Sequence, residues 1–346
     1  MRVLVVTSAA LFVRGGHMVI AEETVAALRR AGHEADLLVT PQNRFGRQGS
    51  AYLATWLTDV GMTADGHPVD RVVSFRFPSY AVRHPHHVCW INHRMREYYD
   101  LWDVFAARLT PLGRLKEGVR RRIVHALDGW LLRRESVRLL AQSRTIQQRL
   151  ARFGGIRSQV LYPPAPERAY RTDGYGDYIF AISRLDPLKR LDLLVEAAGL
   201  VTSRDLRVKI AGRGPEETRL RERIRDLGLE GRVELLGQVS DEEMVDHLAR
   251  CRAVFFAPRD EDYGLVTLQA FRSGKAVVTG TDSGGPTELV EDGRNGYVVP
   301  PDPVAMAARL EHLAHDESLA ARLGQRALAD AQRHCWDNVV AELVRE

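Results

Sequence analysis

Residues 1–40 read MRVLVVTSAALFVRGGHMVIAEETVAALRRAGHEADLLVT, and this stretch decides the fold class. A continuous apolar run leads through a glycine-containing loop into a segment with helical spacing. Gly32 ends that helix, and a second apolar run extends from Ala35 to Val39. A strand buried on both faces of a sheet lacks the apolar and polar alternation of a half-exposed strand. The stretch therefore predicts a strand, a helix and a second strand of one parallel sheet.

The chain has 346 residues, which suits two domains of about 150 to 170 residues each. Prolines and glycines in VLYPPAPERAYRTDGYGDY predict the boundary. We place the first domain at residues 1–165 and the second at 166–330, with a C-terminal helix at 331–346 that can cross back to the first domain. Strands and helices alternate again after the boundary. The predicted fold class is therefore α/β, with two doubly wound, Rossmann-like domains that face a ligand site in the cleft between them.

The composition excludes several other classes of protein. With 45% hydrophobic and 27% charged residues, the chain is expected to be globular rather than disordered or fibrous. Its three cysteines, Cys89, Cys251 and Cys335, are too far apart for a disulfide framework or a thiolate metal site, which favours a reducing cytosol. The first apolar run lacks the basic region of a signal peptide. No other run approaches the roughly 20 apolar residues that span a bilayer.

Positive charge is concentrated in one part of the chain. The net charge is +4, but Phe105 to Arg171 holds 15 Lys and Arg against 4 Asp and Glu. Such a region can meet phosphates, anionic lipids or nucleic acid, although a solvated helix face is the favoured interpretation. In the helix predicted after Pro111, apolar residues recur at helical spacing: Leu112, Leu115, Val119, Ile123, Leu127, Trp130 and Leu131. This stripe predicts packing against the sheet, and a helix lying on a membrane surface is the alternative.

Two short segments of the second domain suggest an anion site. In SRLDPLKR, Arg184 ends a strand and Lys189 precedes a helix, so both cations can converge where a helix N-terminus also favours an anion. AGRGP, residues 211–215, is a tight loop after an apolar strand, and its Arg213 is interpreted as part of an ordinary turn.

The segment EDYGLVTLQAF adds groups that suit a phosphorylated sugar. Glu261 lies in a loop, and Gly264 permits a sharp turn into a helix. The amides of Leu265 and Val266 would open that helix and point toward an anion. Gln269 follows one turn later on the same face.

Together these segments resemble glycosyltransferase family 4, which comprises retaining enzymes of the GT-B type that use nucleotide sugars. The resemblance covers essentially the whole chain. In the second half it rests on SRLDPLKR, AGRGP, EDYGLVTLQAF and DSGGPTELVEDGRNGYVVP. In the first half it rests on RGG, GHE, CWINHRMREYYDLW and AQSRTIQQRLARFGGIRSQVLYPP.

The resemblance implies roles for these residues. Arg184 and Lys189 correspond to the pair that binds the donor diphosphate, and Glu261 to a carboxylate that contacts hydroxyls of the donor sugar. Gly264 and the two amides after it correspond to the turn that holds the phosphates.

In the first domain, the resemblance makes Gly15 and Gly16 a loop that closes over the donor, and it places His93 near the donor sugar and the reacting centre. From the residues alone, His93 is more typical of a surface or packing position. No carboxylate spacing supports a metal site with the neighbouring histidines, His84, His86 and His87.

Gln269 departs from the family pattern, in which a second glutamate binds the ribose hydroxyls. Glutamine keeps the side-chain length and a carbonyl acceptor. It loses the charge-assisted part of the hydrogen bond, on the order of 1 kcal/mol or tenfold in binding. We therefore expect weaker donor binding rather than lost chemistry.

The implied activity is sugar transfer from a nucleoside diphosphate sugar to an acceptor hydroxyl with retention, without a metal ion or other cofactor. The acceptor would be a saccharide, a lipid-linked compound or a small molecule. The expected location is the cytoplasm, with peripheral association at the inner face of the membrane left open and no nucleic-acid partner. One alternative is a catalytically silent binding subunit, which Gln269 motivates. A second alternative is an epimerase or phosphorylase of the same fold. A dehydrogenase is disfavoured, because the RGG loop does not have the GxGxxG pattern of dinucleotide-binding proteins.

Overall fold

The computed structural model describes residues 1–12, 15–43, 45–203 and 205–345. The chain divides into two compact units. Unit 1 contains residues 1–163 and 335–346, and unit 2 contains residues 164–334. The division therefore falls at 163/164 and 334/335, where the sequence placed it at 165/166 and 330/331.

Unit 1 is built on a parallel sheet of six strands. Up to residue 163 its elements are β1 (Arg2–Ala9), α1 (Gly16–Arg30), β2 (Glu34–Pro41), α2 (Gln48–Leu57), β3 (Arg71–Ser74), β4 (His87–Ile91), α3 (Trp102–Ala106), α4 (Pro111–Leu132), β5 (Val137–Ala141), α5 (Arg144–Arg152) and β6 (Gln159–Val160). The strand order is β2-β1-β3-β4-β5-β6. Every position of β3 and β4 is buried, as expected of strands covered on both faces.

Unit 2 repeats this architecture. Its elements are β7 (Tyr178–Ile182), α6 (Leu191–Leu200), β8 (Arg207–Ala211), α7 (Glu217–Asp226), β9 (Val233–Gly237), α8 (Asp241–Arg250), β10 (Ala253–Phe255), α9 (Leu265–Arg272), β11 (Val277–Gly280), β12 (Gly296–Val299), α10 (Pro303–His315) and α11 (Glu317–Ala331). The strand order is β12-β11-β10-β7-β8-β9. The last helix, α12 (Trp336–Val344), packs on unit 1, where Arg71 donates to the carbonyl of Leu343 at 3.1 Å.

The two sheets confirm the predicted fold class of two doubly wound α/β domains. In each sheet the direction of chain progression reverses once, between β1 and β3 in unit 1 and between β7 and β10 in unit 2. Loops at the carboxyl ends of two such strands leave the sheet in opposite directions and open a crevice. The fold thus marks one candidate binding edge in each unit.

Helix α4 corrects one prediction. Its buried residues are Val124, Asp128, Gly129, Leu131 and Leu132. The fully buried Asp128 carboxylate accepts hydrogen bonds from the hydroxyls of Tyr80 at 2.6 Å and Tyr99 at 2.7 Å, and also from Tyr52. Burial raises the pKa of this carboxyl above its ordinary value. The helix is therefore held through a partly polar face, and most of the apolar stripe predicted to pack on the sheet is exposed.

One fully buried and one partly buried histidine of unit 1, His87 and His17, predict loss of stability in acid. Burial is the main cause that lowers the pKa of His87 from 6.5 to about 3, and the same holds for His17. Below pH 6.5 the unfolded chain takes up protons that the folded chain does not, so this stability is present above pH 6.5 and lost toward pH 3. We expect the free energy of unfolding to fall by up to about 1.4 kcal/mol per pH unit for each histidine.

Urea unfolding of His87→Asn over this pH range checks the prediction. The variant removes one titrating group, so its stability should depend less steeply on pH, whatever its stability at neutral pH. His86→Asn, at an exposed neighbouring position, is the control and should keep the wild-type slope. Equal slopes for wild type and His87→Asn would contradict the assignment.

Candidate functional site

The turn that follows β7 carries Arg184 and Lys189. Asp186 organises this turn, because its carboxylate accepts from the amide of Leu188 at 3.0 Å and from Nε of Arg184 at 2.8 Å. The Arg184 side chain nevertheless stays 69% exposed. Its guanidinium is thus oriented by Asp186 and remains accessible at the β7 edge.

The structure brings Lys189 and Glu261 together. Nζ of Lys189 lies 2.5 Å from Oε2 of Glu261, and both side chains are largely buried. The backbone of Glu261 is fixed as well, since its amide donates to Ser283 and its carbonyl accepts from Gly285, both at 2.9 Å. These residues follow β7, β10 and β11, so the pair sits beside the strand reversal of unit 2.

Arg190, which the sequence did not indicate as a site residue, connects the loops at the carboxyl edge of the unit 2 sheet. Its guanidinium donates to both carboxylate oxygens of Asp282 at 2.9 and 2.7 Å. It also donates to the carbonyls of Ala257 and Pro258, each at 2.8 Å. The side chain is 16% exposed, and the backbone has a positive φ of 50°. Arg190 thereby joins the turn after β7 to the ends of β10 and β11.

Gly264 starts α9 in a conformation that glycine favours. Its φ is 84°, and a Cβ here would lie 2.7 Å from Cε1 of Phe256. The amides of Leu265 and Val266 form the first turn of α9 and have no intrahelical acceptor, as at any helix N-terminus. The N-terminus of α9 therefore combines two available amides with the positive end of the helix dipole.

Gln269 lies in the second turn of α9 and is partly buried. It follows Leu265 by four residues, so the two share a helix face. Helix α9 therefore places the Gln269 side chain on the same face as its N-terminal residue Leu265, whose backbone amide opens the helix.

The AGRGP segment is a close backbone contact. The amide of Leu185 donates to the carbonyl of Arg213 at 2.9 Å, and a Cβ on Gly212 would lie 1.8 Å from the carbonyl oxygen of Ser183. The tight loop predicted here is confirmed. Its glycines let β8 end against the same turn that carries Arg184.

In unit 1, the carboxyl edge of the sheet groups three basic side chains, those of His17, Arg76 and His93. His93 follows β4, and its Nδ1 lies 2.7 Å from the carbonyl of Arg94. His17 is in the first turn of α1, after Gly15 and Gly16, and its Nε2 is buried without a hydrogen-bond partner among the described residues.

Burial, together with the nearby positive charge of Arg76 and the ring of His93, lowers the pKa of His17 to about 3, so this imidazole is neutral near pH 7. Arg14 of the RGG segment lies outside the described residues. His17 and Arg76 were missed in the sequence, although His17 directly follows the glycine pair and could have been noted for its position.

Within the described ranges, no group of three or more His, Cys, Asp or Glu side chains is arranged to hold a metal ion.

Known proteins match unit 2 in sequence and both sheets in fold. Residues 168–330 match the family model described as Glycosyl transferases group 1, and the two parallel six-stranded sheets have the GT-B fold of solved glycosyltransferases. The matched range contains every candidate residue of unit 2.

Two named relatives are similar to about half of the chain. The chain is 34% identical over 182 residues to the phosphatidyl-myo-inositol mannosyltransferase of Mycolicibacterium smegmatis, covering 50% of this chain and 46% of the relative. It is 33% identical over 171 residues to an exopolysaccharide phosphotransferase of Streptomyces coelicolor, covering 48% of this chain but 18% of that protein. The alignments thus span half or less of these relatives.

Among solved structures, the chain resembles Anabaena HepE, determined in complex with UDP and glucose. The TM-score is 0.72 at 19% identity, and the match covers 98% of both chains. This likeness establishes the fold over nearly the full length.

Proposed function

We propose that this protein transfers a sugar from a nucleoside diphosphate sugar to an acceptor hydroxyl, with retention at the anomeric carbon. The observation that carries the proposal is the Lys189–Glu261 pair, 2.5 Å apart, at the strand reversal of unit 2. It joins a cation suited to phosphate and a carboxylate suited to sugar hydroxyls at the edge where doubly wound sheets bind ligands.

In the proposed reaction, negative charge develops on the leaving diphosphate. Lys189, the exposed guanidinium of Arg184 and the amides of Leu265 and Val266 are oriented before the reaction and stabilise that charge. Glu261 accepts hydrogen bonds from hydroxyls of the donor sugar. These groups come from the chain itself, and the proposal gives no role to a metal ion.

For unit 1, the proposal assigns His93 to the donor sugar and Gly15 with Gly16 to a loop over the donor. These roles follow the family resemblance. The neutral imidazole of His17 beside them can donate or accept a hydrogen bond.

A donor screen tests the proposal. HepE is solved with UDP and glucose, so UDP-hexoses are tried first, followed by GDP-hexoses. A donor that binds should raise the melting temperature, and mass spectrometry should then detect a glycosylated product with saccharide, lipid-linked or small-molecule acceptors. Proton NMR of the product reports retention, and addition of EDTA should leave the rate unchanged.

The second candidate is a silent nucleotide-sugar-binding subunit, which Gln269 favours because a neutral amide replaces the family's carboxylate. It predicts UDP or GDP binding by calorimetry and no product with any donor and acceptor pair. The transferase predicts both binding and product.

Gln269→Glu is expected to strengthen donor binding. A carboxylate at this position gains a charge-assisted hydrogen bond, on the order of 1 kcal/mol, so the donor KM should fall about five- to tenfold while kcat changes little. Steady-state kinetics with the identified donor measure both constants. Gln325→Glu on the exposed side of α11 adds the same charge and should leave both unchanged. A large rise in kcat at constant donor KM would contradict the assigned role.

A further inference from the structure

Helix α4 exposes an apolar stripe on the side opposite its buried face. The exposed side chains are Leu112 (76%), Leu115 (68%), Val119 (51%), Ile123 (61%) and Trp130 (54%). Steps of three, four and seven residues place them on one side of the helix. Because the other side is anchored by Asp128 and its tyrosines, α4 cannot turn the stripe inward without breaking that anchor.

The stripe continues onto α2. The rings of Trp56 and Trp130 lie 5.2 Å apart, which places the ends of α2 and α4 side by side. On α2, Leu53 and Leu57 are 57% and 64% exposed. Leu53 lies three residues before Trp56 and four before Leu57, so it neighbours both on the helix surface. We call the exposed apolar side chains of the two helices the α4–α2 face. A contiguous apolar area of this kind on a soluble domain indicates an interaction site.

Basic side chains border the α4–α2 face. Lys116 and Arg122 are exposed on α4 beside the stripe. The guanidinium groups of Arg83 and Arg134 lie over the Trp56 ring, 5.2 and 5.5 Å from its centroid. A groove along one side of the stripe is lined by further cationic and aromatic side chains, among them Trp102, Arg114, Arg121 and His125.

Acidic groups do little to neutralise this border. On α4 the two carboxylates are Glu117 and Asp128. Glu117 is largely buried, bonded to Arg120 and to the hydroxyl of Tyr98, and Asp128 is fully buried. The exposed charge on α4 itself is therefore positive, and the exposed carboxylates closest to the two helices in the chain include Asp59, after α2, and Glu135, after α4.

We propose that the α4–α2 face binds the surface of a membrane that contains anionic lipids. The apolar side chains would enter the boundary between headgroups and acyl chains, where tryptophan is favoured, while Lys and Arg meet lipid phosphates. A second copy of the chain fits less well, because pairing two such faces would bring their basic borders together. No helix in the described part of the chain is long and apolar enough to cross a bilayer.

Vesicle sedimentation with the full chain tests this proposal. Binding is expected to vesicles of equimolar phosphatidylcholine and phosphatidylglycerol, to weaken as salt is added, and to be at least about tenfold weaker with phosphatidylcholine alone. The double variant Leu115→Ser/Val119→Ser should lower the partition coefficient about tenfold or more. Lys116→Gln/Arg122→Gln should lower it on anionic vesicles and reduce the salt dependence.

Leu200→Ser/Val304→Ser is the matched control, because these apolar residues are 52% and 69% exposed on unit 2. It should bind vesicles as the wild type does. All altered side chains are exposed, and thermal melts verify that each variant folds.

Several results would overturn the proposal. One is equal vesicle binding by wild type and Leu115→Ser/Val119→Ser, and another is equal binding to both kinds of vesicle. A third is a dimer in light scattering that this double variant converts to monomer, since the occupant would then be a second copy. Vesicle binding requires no turnover, so it succeeds or fails separately from the proposed transferase activity.

Discussion

Replacing Lys189 with alanine is expected to lower kcat/KM for sugar transfer by about 10²- to 10³-fold, the usual loss when one oriented charge-stabilising group is removed from an active site. Lys189 is held by the turn after β7, and its ammonium lies 2.5 Å from Glu261. Alanine removes the cation and leaves the carboxylate without this partner, so donor phosphate is both less attracted and more repelled.

Steady-state kinetics with the donor found in the screen measure this loss, and calorimetry with the nucleoside diphosphate measures its binding part. Lys209→Ala is the control, because Lys209 is also partly buried in unit 2, with Nζ 4.6 Å from the ring centroid of Tyr178. It should retain wild-type kinetics. A loss of less than about threefold for Lys189→Ala would contradict the role of the lysine in phosphate binding.

A variant of Glu261 distinguishes two possible roles of this carboxylate, binding the donor sugar and holding Lys189. Glu261→Gln keeps the side-chain length and a carbonyl acceptor but removes the charge that faces Lys189. If Glu261 serves the donor sugar, this variant should bind the free nucleoside diphosphate at least as well as the wild type and still lose transfer. If its only role is to hold Lys189, nucleotide binding and transfer should fall together.

Most of the fold could be predicted because parallel strands buried on both faces form continuous apolar runs. Residues 178–182 (YIFAI) are such a run, and the structure has β7 there. The orientation of α4 could not be predicted in the same way. Periodicity identifies an apolar side of a helix but not what covers it. A buried carboxylate with three tyrosine partners from α2, the β3–β4 connection and the loop before α3 decided which side of α4 faces the core.

Part of the candidate site could likewise be predicted from the sequence, and part could not. Lys189 and Glu261 are 72 residues apart, yet both follow strands that flank a chain reversal, so their proximity follows from topology. The contact of Arg190 with Asp282 depends on a non-glycine residue at positive φ, which directs the guanidinium across two strand ends. Neither sequence spacing nor apolar pattern reports such a backbone angle. His17 is a different case: its position after Gly15 and Gly16 was visible in the sequence, but its proximity to Arg76 and His93 was not.

The second large effect is expected at Arg190. Alanine removes four hydrogen bonds, to Asp282 and to the carbonyls of Ala257 and Pro258. The carbonyls of Ala257 and Pro258 are then left unpaired in a largely buried position, whereas the Asp282 side chain is 44% exposed and can bind water. The free energy of unfolding should therefore fall by about 1 to 2 kcal/mol. Because the same contacts position the turn that carries Lys189, kcat should also fall, although Arg190 itself is assigned no contact with substrate. Denaturant unfolding and kinetics measure the two effects.

A glycine variant distinguishes the side-chain contacts from the backbone angle. Arg190 adopts φ 50° and ψ 44°, a conformation that costs a residue with a Cβ roughly 1 kcal/mol more than glycine. Arg190→Gly should therefore be about 1 kcal/mol more stable than Arg190→Ala, with the same loss of kcat, because both lack the guanidinium. Arg190→Lys keeps the charge but cannot form the forked contact, and it should recover little of either property. Recovery of kcat by glycine alone would mean that backbone strain positions Lys189; recovery by lysine would mean that charge does.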